Sequence, residues 1–497
     1  MTTPSPRPAV AIVGGGISGL AAAFFLRDQG ALVTVLEGSP RVGGKLAISQ
    51  VAGIAVDEGA ESLLARRPEG TDLIGAVGLA GQLVRPGTTA AGIWTRGQLR
   101  PLPKRQFMGV PADLDELQDA GILSPAGLAR ARGDLELPVT VRDGDVAVAS
   151  YVGARFGQEV VDRLVDPLLG GVYAGRSGEL SFEATLAALA RASGQHRSLA
   201  AAAASLLPLP ASRSGPVPAP APVPAPVFTT LAGGLGTLPP VLSGASGAVV
   251  RTGAMVRELA RVPGGWRLTV GSARAPEYLD ADAVILALPA RPAGRLLAGL
   301  PAAAAAAGAL GEIGYASMAI VTLAYPAAAF PGLPQGSGYL VPAVDSRPVK
   351  AVTFSTIKWP HLLGGARHAG AGSGVPGGTI HLVRCSLGRR GEEAVLQRDD
   401  GELAALAVTD LAAATGVSGA PVDARVSRWG GGLPQYTVGH LDRVRRIRAG
   451  VAAQGGLAVC GAAYDGIGIA ACIASARLAA DQVLSHLESR AVRGAGR

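Results

Sequence analysis

The chain has 497 residues, 48% of them hydrophobic, and carries 45 Lys and Arg against 37 Asp and Glu. That length predicts two or three domains. No apolar run reaches the roughly 18 residues of a spanning helix, so the mean hydropathy of +0.32 reflects alanine tracts such as Pro301–Gly308 and no transmembrane segment is expected. The net charge of +8 is scattered and aromatics make up only 4%, which argues against nucleic acid as a partner. Lys45, Lys104, Lys350 and Lys358 are the only lysines, so arginine carries the charge. Gene base composition accounts for this, and so does an acidic substrate gripped by bidentate guanidinium forks. Cys385, Cys460 and Cys472 form no CxxC pair and no metal spacing, so no metal site and a reduced, cytoplasmic setting are expected. With the first strand expected from Ala9, no signal or transit peptide is expected either.

Ala9–Val13 reads as a short buried strand, Ile17–Gln29 as a helix and Ala31–Leu36 as a second strand, followed at once by Glu37. Gly14, Gly16 and Gly19 fall on the turn between strand and helix. Gly14 permits the tight turn, Gly16 lets a pyrophosphate approach the backbone, and Gly19 lets helix and strand pack closely. The helix N-terminus offers free N–H groups to phosphates, and Glu37 stands where a carboxylate accepts from a ribose diol. A dinucleotide site is predicted. Ser39-Pro-Arg41-Val-Gly43-Gly44-Lys45 and Asp57-Glu58-Gly59-Ala60-Glu61-Ser62 come next. The first resembles the RxGG[RK] segment of amine-oxidase-like flavoproteins, which narrows the cofactor to FAD.

Residues 110 to 200 carry helical spacing, as in Val160 and Leu164, then Phe182, Leu186 and Leu189. Pro216–Pro226 alternates proline with alanine or valine, and Leu206 to Val227 reads as an exposed spacer. Thr229 to Leu242 reads as a loop followed by a helix. Leu268-Thr-Val and Ala283–Leu288 read as strands, and residues 315 to 385 as short β runs between turns. Leu457–Gly461 is a last buried strand, with a glycine-rich turn and a helix from Ile469 to about Leu487. That turn could present backbone N–H groups to a flavin pyrimidine edge. Nucleotide-type elements at the start, middle and end predict a discontinuous cofactor domain.

Further segments carry a more restrictive likeness. They are Leu102–Pro111, Asp166–Gly175 with its Tyr173-Ala174-Gly175, His196–Leu199, Lys358–His361, Arg428-Trp429 and Pro434–His440. Together with the motifs above, the chain resembles the protoporphyrinogen/coproporphyrinogen oxidase family, in its soluble bacterial branch. The likeness runs through nearly the whole chain except the Pro/Ala insertion. It implies an α/β (α+β) fold: a discontinuous Rossmann-like FAD domain of p-hydroxybenzoate-hydroxylase type, a β-rich substrate domain and a helical domain. The FAD domain is expected in residues 7–88, 228–295 and 425–490, the substrate domain in 89–109 and 296–424, and the helical domain in 110–204, with the insertion at 205–227. The residues expected to touch FAD are Gly14, Gly15, Gly16, Ile17, Ser18, Gly19, Glu37, Gly38, Arg41, Gly44, Lys45, Gly59, Ala60, Glu61, Ser62, Gly461, Ile467, Gly468 and Ile469. Val256 and Trp429 join them on resemblance alone.

The implied reaction is aromatisation of a porphyrinogen by a flavin that dioxygen reoxidises, with hydrogen peroxide released. Aromatic stabilisation drives it, so the protein chiefly positions a meso carbon. No residue is assigned as a catalytic base, and His196, His361 and His440 read as structural. Arg67 is the first choice for substrate carboxylates, with Lys104 and Arg197 behind it, and Gly175 is expected to leave room for the macrocycle. Where many relatives carry an aromatic, this chain has Arg384-Cys385-Ser386, which alters one expected wall of the pocket. The soluble-type likeness favours coproporphyrinogen III over protoporphyrinogen IX and implies a cytoplasmic enzyme, with transient contact with ferrochelatase and peripheral contact with a membrane both left open. An amine or carotenoid-type flavin oxidase, and a non-catalytic FAD-binding scaffold, are the rival readings.

Overall fold

The computed structural model describes residues 7–208, 227–363 and 379–495. Residues 209–226, the Pro/Ala-rich tract, lie outside them. At its centre is a five-stranded parallel sheet in the order Val249–Arg251, Leu32–Leu36, Ala9–Val13, Ala283–Leu286, Leu457–Val459. Ala9–Val13 is paired on both edges, and its Ala11 and Ile12 have no exposed surface, as expected of a strand covered on both faces. The helix Ile17–Leu26 packs against the long C-terminal helix Ile469–Ala495 on one face of this sheet. An antiparallel meander, Val256–Val262, Gly265–Ser272 and Ala275–Ala281, belongs to the core on the other face, where Trp266 is wholly buried.

A second, seven-stranded sheet runs Asp423–Pro434, Tyr315–Pro326, Ile380–Leu387, Val349–Phe354, Gly338–Leu340, Gly92–Thr95, Gln98–Pro101. Only the Gly338–Leu340 and Gly92–Thr95 pair is parallel. Helix Asp400–Thr415 covers this sheet; Asp399 and Glu402 form a capping box at its start. A third core gathers the helices between Leu114 and Ser205 around Phe156, Leu164 and Phe182. Within it the wholly buried Asp134 binds Arg155 at 2.5 Å and accepts from the Leu199 and Ala200 N–H groups. The carboxylate thereby holds the His196–Leu199 segment and the helix that starts there.

Local geometry moves several expected boundaries. The first helix stops at Leu26, short of Gln29, because Asp28 and Gly30 adopt positive φ of 60° and 72°. The strand from Ala283 ends at Leu286; the Ala287 N–H makes the last bond to the Val13 oxygen, and Ala287 and Leu288 then cover the glycine turn. Phe228–Leu231 is a strand where a loop was expected; it pairs with Leu63–Leu64 and Leu83–Val84. These contacts come from far along the chain, so local sequence does not announce them.

Candidate cofactor and substrate site

The glycine turn is built by close approach. A Cβ on Gly19 would stand 1.8 Å from the Gly14 oxygen, and one on Gly14, at φ +108°, would stand 2.4 Å from the Ala287 oxygen. Gly15 lies against Glu37, whose Oε2 accepts from the Gly15 N–H at 2.7 Å and whose Oε1 accepts from the Ser39 N–H at 2.8 Å. Each carboxylate oxygen keeps a second acceptor position. Gly16 differs from these three: a Cβ there meets nothing within 4 Å. It is the N-cap of the first helix and supplies no side-chain cap, so the N–H groups of the first turn are presented to an anion.

Distant segments close around this open side. The Gly43 N–H donates to the Gly15 oxygen at 2.8 Å, and Gly16 bridges to Gly43 in parallel fashion. A Cβ on Gly59 would sit 2.1 Å from the Lys45 oxygen and 3.1 Å from Cζ2 of Trp429, whose indole N–H donates to the Glu58 oxygen at 2.9 Å. Lys45 is solvent-accessible yet ringed by protein; desolvation lowers its ammonium, partly opposed by Cys472. Both facts describe a group inside a cleft. Gly461 stands opposite Ser18, its Cβ position 3.8 Å from Oγ. Gly468 is exposed with open space before it at the start of the C-terminal helix. On the far side, the Ala254 N–H donates to the Glu37 oxygen and Met255 covers Gly38, which brings the strand from Val256 beside Glu37. Ile17 and Ala60 pack on the adjoining core, Ser62 is half-buried and Ile469 is buried; Ile467 packs against the helical core. Two helix N-termini, a carboxylate held at a turn and a cation in the cleft suit the donor and acceptor set of a dinucleotide.

Arg41 is exposed and engaged by its own loop. Its guanidinium donates to the oxygens of Val42 and Gly44, at 3.2 and 2.9 Å, and so braces its own loop.

Glu61 is held from two sides. Lys358 Nζ lies 2.6 Å from its Oε1, and Arg384 pairs with its Oε2 while donating to the Gly59 oxygen at 2.7 Å. All three side chains are at most 17% exposed. Burial pushes the Glu61 carboxyl up, but the ammonium and guanidinium outweigh it and bring its pKa down to about 2. Arg384, the departure noted above, is thus a counter-ion that anchors the Gly59–Ser62 segment. Nearby Asp57 accepts from the Leu235 and Gly236 N–H groups, and burial raises its carboxyl to about 6.

The residues expected at the substrate are spread out. Arg67 is exposed and ion-paired with Glu69 at 2.8 Å. Lys104 is exposed, and its backbone N–H donates to Glu116. Arg197 donates to the Glu136 and Leu137 oxygens and ties down a loop. The room beside Gly175 is taken by Gln435, whose Oε1 lies 2.2 Å from the Cβ position; the glycine serves packing there. Lys358, Arg384, Gln435 and Tyr436 are the important residues that sequence reasoning did not place. The sequence signal for Lys358, Gln435 and Tyr436 was membership of the restrictive segments, and for Arg384 the departure from the relatives' aromatic.

The fold and this site define a flavin-dependent oxidoreductase with a dinucleotide-binding core. The family model described as flavin containing amine oxidoreductase matches residues 17–484. The chain is 36% identical to a coproporphyrinogen III oxidase of Mycobacterium tuberculosis over 487 residues, covering 97% of this chain and 98% of that one. It is 30% identical to that of Bacillus subtilis, covering 97% and 98%. A solved structure titled as a putative protoporphyrinogen oxidase from Exiguobacterium superposes with a TM-score of 0.82 at 30% identity, covering 96% of this chain and 99% of that one. The chain belongs to the flavin containing amine oxidoreductases and, within them, to the protoporphyrinogen/coproporphyrinogen oxidase family. It is an FAD-dependent oxidase. Among the described residues no helix is long and apolar enough to cross a membrane.

Proposed function

We propose that the protein oxidises coproporphyrinogen III to coproporphyrin III in haem biosynthesis. The observation that carries this reading is the likeness over 97% of the chain to enzymes named coproporphyrinogen III oxidase. The macrocycle gives up six electrons and six hydrogens, and three dioxygen molecules take them up as three hydrogen peroxide. Bound FAD supplies a two-electron acceptor for the substrate and hands the electrons on to dioxygen. The chain's own residues hold it. Glu37 would accept from the ribose, the N–H groups of Ile17 to Gly19 would receive the diphosphate, and the Gly461–Ile469 turn would serve the flavin pyrimidine edge. Gly59–Ser62, pinned by Lys358 and Arg384, lines the path between. Val256 would meet the adenine side of the FAD through the backbone, and Trp429 would lie near the cofactor. Aromatisation supplies the driving force, so no side chain is assigned as a catalytic base.

In this reading residues 7–88, 228–295 and 425–490 form the FAD domain, 89–109 and 296–424 the substrate domain and 110–204 the helical domain. A cytoplasmic enzyme that passes its product on by transient contact with ferrochelatase belongs to the same reading. The test is to incubate purified holoprotein with coproporphyrinogen III, protoporphyrinogen IX or a polyamine, following porphyrin fluorescence and peroxide. Porphyrin from coproporphyrinogen III, with three peroxides for each, is expected. Faster turnover of protoporphyrinogen IX would move the substrate assignment alone, toward the putative protoporphyrinogen oxidase of Exiguobacterium. Peroxide from the amine without porphyrin would overturn the reading, and no turnover of any of the three would leave an FAD-binding scaffold.

A further inference from the structure

The segment Pro434–His440 connects the last strand of the seven-stranded sheet to helix His440–Ala452. One side of it is stitched to the helical part of the molecule. The Ser181 N–H donates to the Tyr436 oxygen at 2.7 Å, and the Val438 N–H to the Glu179 oxygen at 3.2 Å. The Gly439 N–H donates to Asp145 Oδ2 at 2.8 Å, and Gln435 Nε2 to the Tyr173 oxygen at 2.8 Å. The Gln435 oxygen also fills the space beside Gly175. The other side meets the turn before the C-terminal helix, where His440 lies against the Tyr464 backbone and Tyr436 makes two hydrogen bonds. The Tyr436 hydroxyl donates to the Ala462 oxygen and accepts from the Gly466 N–H, both at 2.7 Å. Its ring is 2% exposed and stacks on His440 with centroids 3.8 Å apart and planes at 14°, with Tyr173 5.8 Å away on a tilted plane.

One phenol oxygen therefore closes the base of the Gly461–Gly468 turn and leaves exposed Gly468 on its open side. We infer that Tyr436 is a positioning residue that fixes this turn for the flavin and couples it to the Tyr173–Gly175 segment of the helical part. A shift of Tyr173 or Gly175 on loading that segment reaches Gln435 directly, and the next residue carries the clamp. This rests on the assignment of the turn to the flavin. Tyr436→Phe keeps the buried ring and its stack and removes only the oxygen, leaving a carbonyl and an N–H without their partner.

In holoprotein, Y436F is expected to weaken FAD about tenfold or more, the equivalent of one buried hydrogen bond left unmade. Its flavin midpoint potential and visible circular dichroism should shift as well. Addition of coproporphyrin should perturb the flavin spectrum in the parent protein, and that perturbation should disappear in Y436F. A merely structural tyrosine would lower the melting temperature and leave the FAD Kd and potential of the folded protein unchanged; that result overturns the inference. Hydrogen exchange on the parent protein gives a check that needs no variant. The Gly466 amide is expected to be protected, and exchange at the rate of an open loop would also overturn it. Failure of porphyrinogen turnover sinks the proposed function, whereas an unchanged FAD Kd in Y436F sinks the clamp.

Discussion

Replacing Glu61 with glutamine removes the one carboxylate between two buried cations. Gln is nearly isosteric, so packing survives, but Lys358 and Arg384 then face each other with an amide between them. The depressed carboxyl, about 2 against an ordinary 4.5, corresponds to about 3 kcal/mol of preference for the charged form. Breaking a buried pair from one side falls in the same range, about 3–5 kcal/mol. If the chain melts as one unit, its unfolding entropy is on the order of 1 kcal/mol per kelvin, so the melting temperature should fall by about 3 °C at pH 7. The sign with pH follows from the depressed pKa. The stabilisation is fully present above 4.5 and lost as pH falls toward 2, so the gap between parent and E61Q should narrow below pH 4.5. Differential scanning calorimetry from pH 7 to 3 measures both. A fall of less than about 1 °C at pH 7, or a gap that does not narrow on acidification, would refute the claim that the triad pins Gly59–Ser62.

Two glycines of one turn should behave differently. Gly16→Val places its side chain in open space; apoprotein melting should stay unchanged while the protein purifies without yellow FAD. Gly19→Ala drives a Cβ into the Gly14 oxygen, and apoprotein stability itself should drop by about 3 kcal/mol or more, read by urea unfolding. His440 is held neutral: burial and then Arg443 press its imidazole down to about 4, against the backbone of Tyr464, Asp465 and Asp145. Its contribution is present above pH 6.5 and lost as pH falls to 4, worth about 3 kcal/mol across that window. His440→Phe should flatten that part of the stability profile, and an unchanged slope would show that another group titrates there. Arg67→Ala, which removes an exposed pair, should cost under about 1 kcal/mol and leave KM for coproporphyrinogen III within about threefold. A KM raised tenfold or more (about 1.4 kcal/mol) would return Arg67 to the substrate mouth.

Sequence alone determined the features whose cause lies within a few residues. Gly19 must be glycine because the Gly14 oxygen, five residues back in the same turn, leaves no room for a Cβ. Glu37 follows its strand by one position, so alternation and spacing located it, and the start of the C-terminal helix was legible from the glycine-rich turn before it. Only the tertiary structure decided the rest. Glu61 meets Lys358 and Arg384 across 297 and 323 residues, and Tyr436 meets Gly466 from another strand's end. Arg384 reaches Glu61 because Ile380–Leu387 is locked in register, with Arg384 opposite Thr322 on one neighbour and Thr353 on the other. A slip of one residue would turn Arg384 to the opposite face of the sheet. No local preference records that choice; pairing with the strands on both edges makes it.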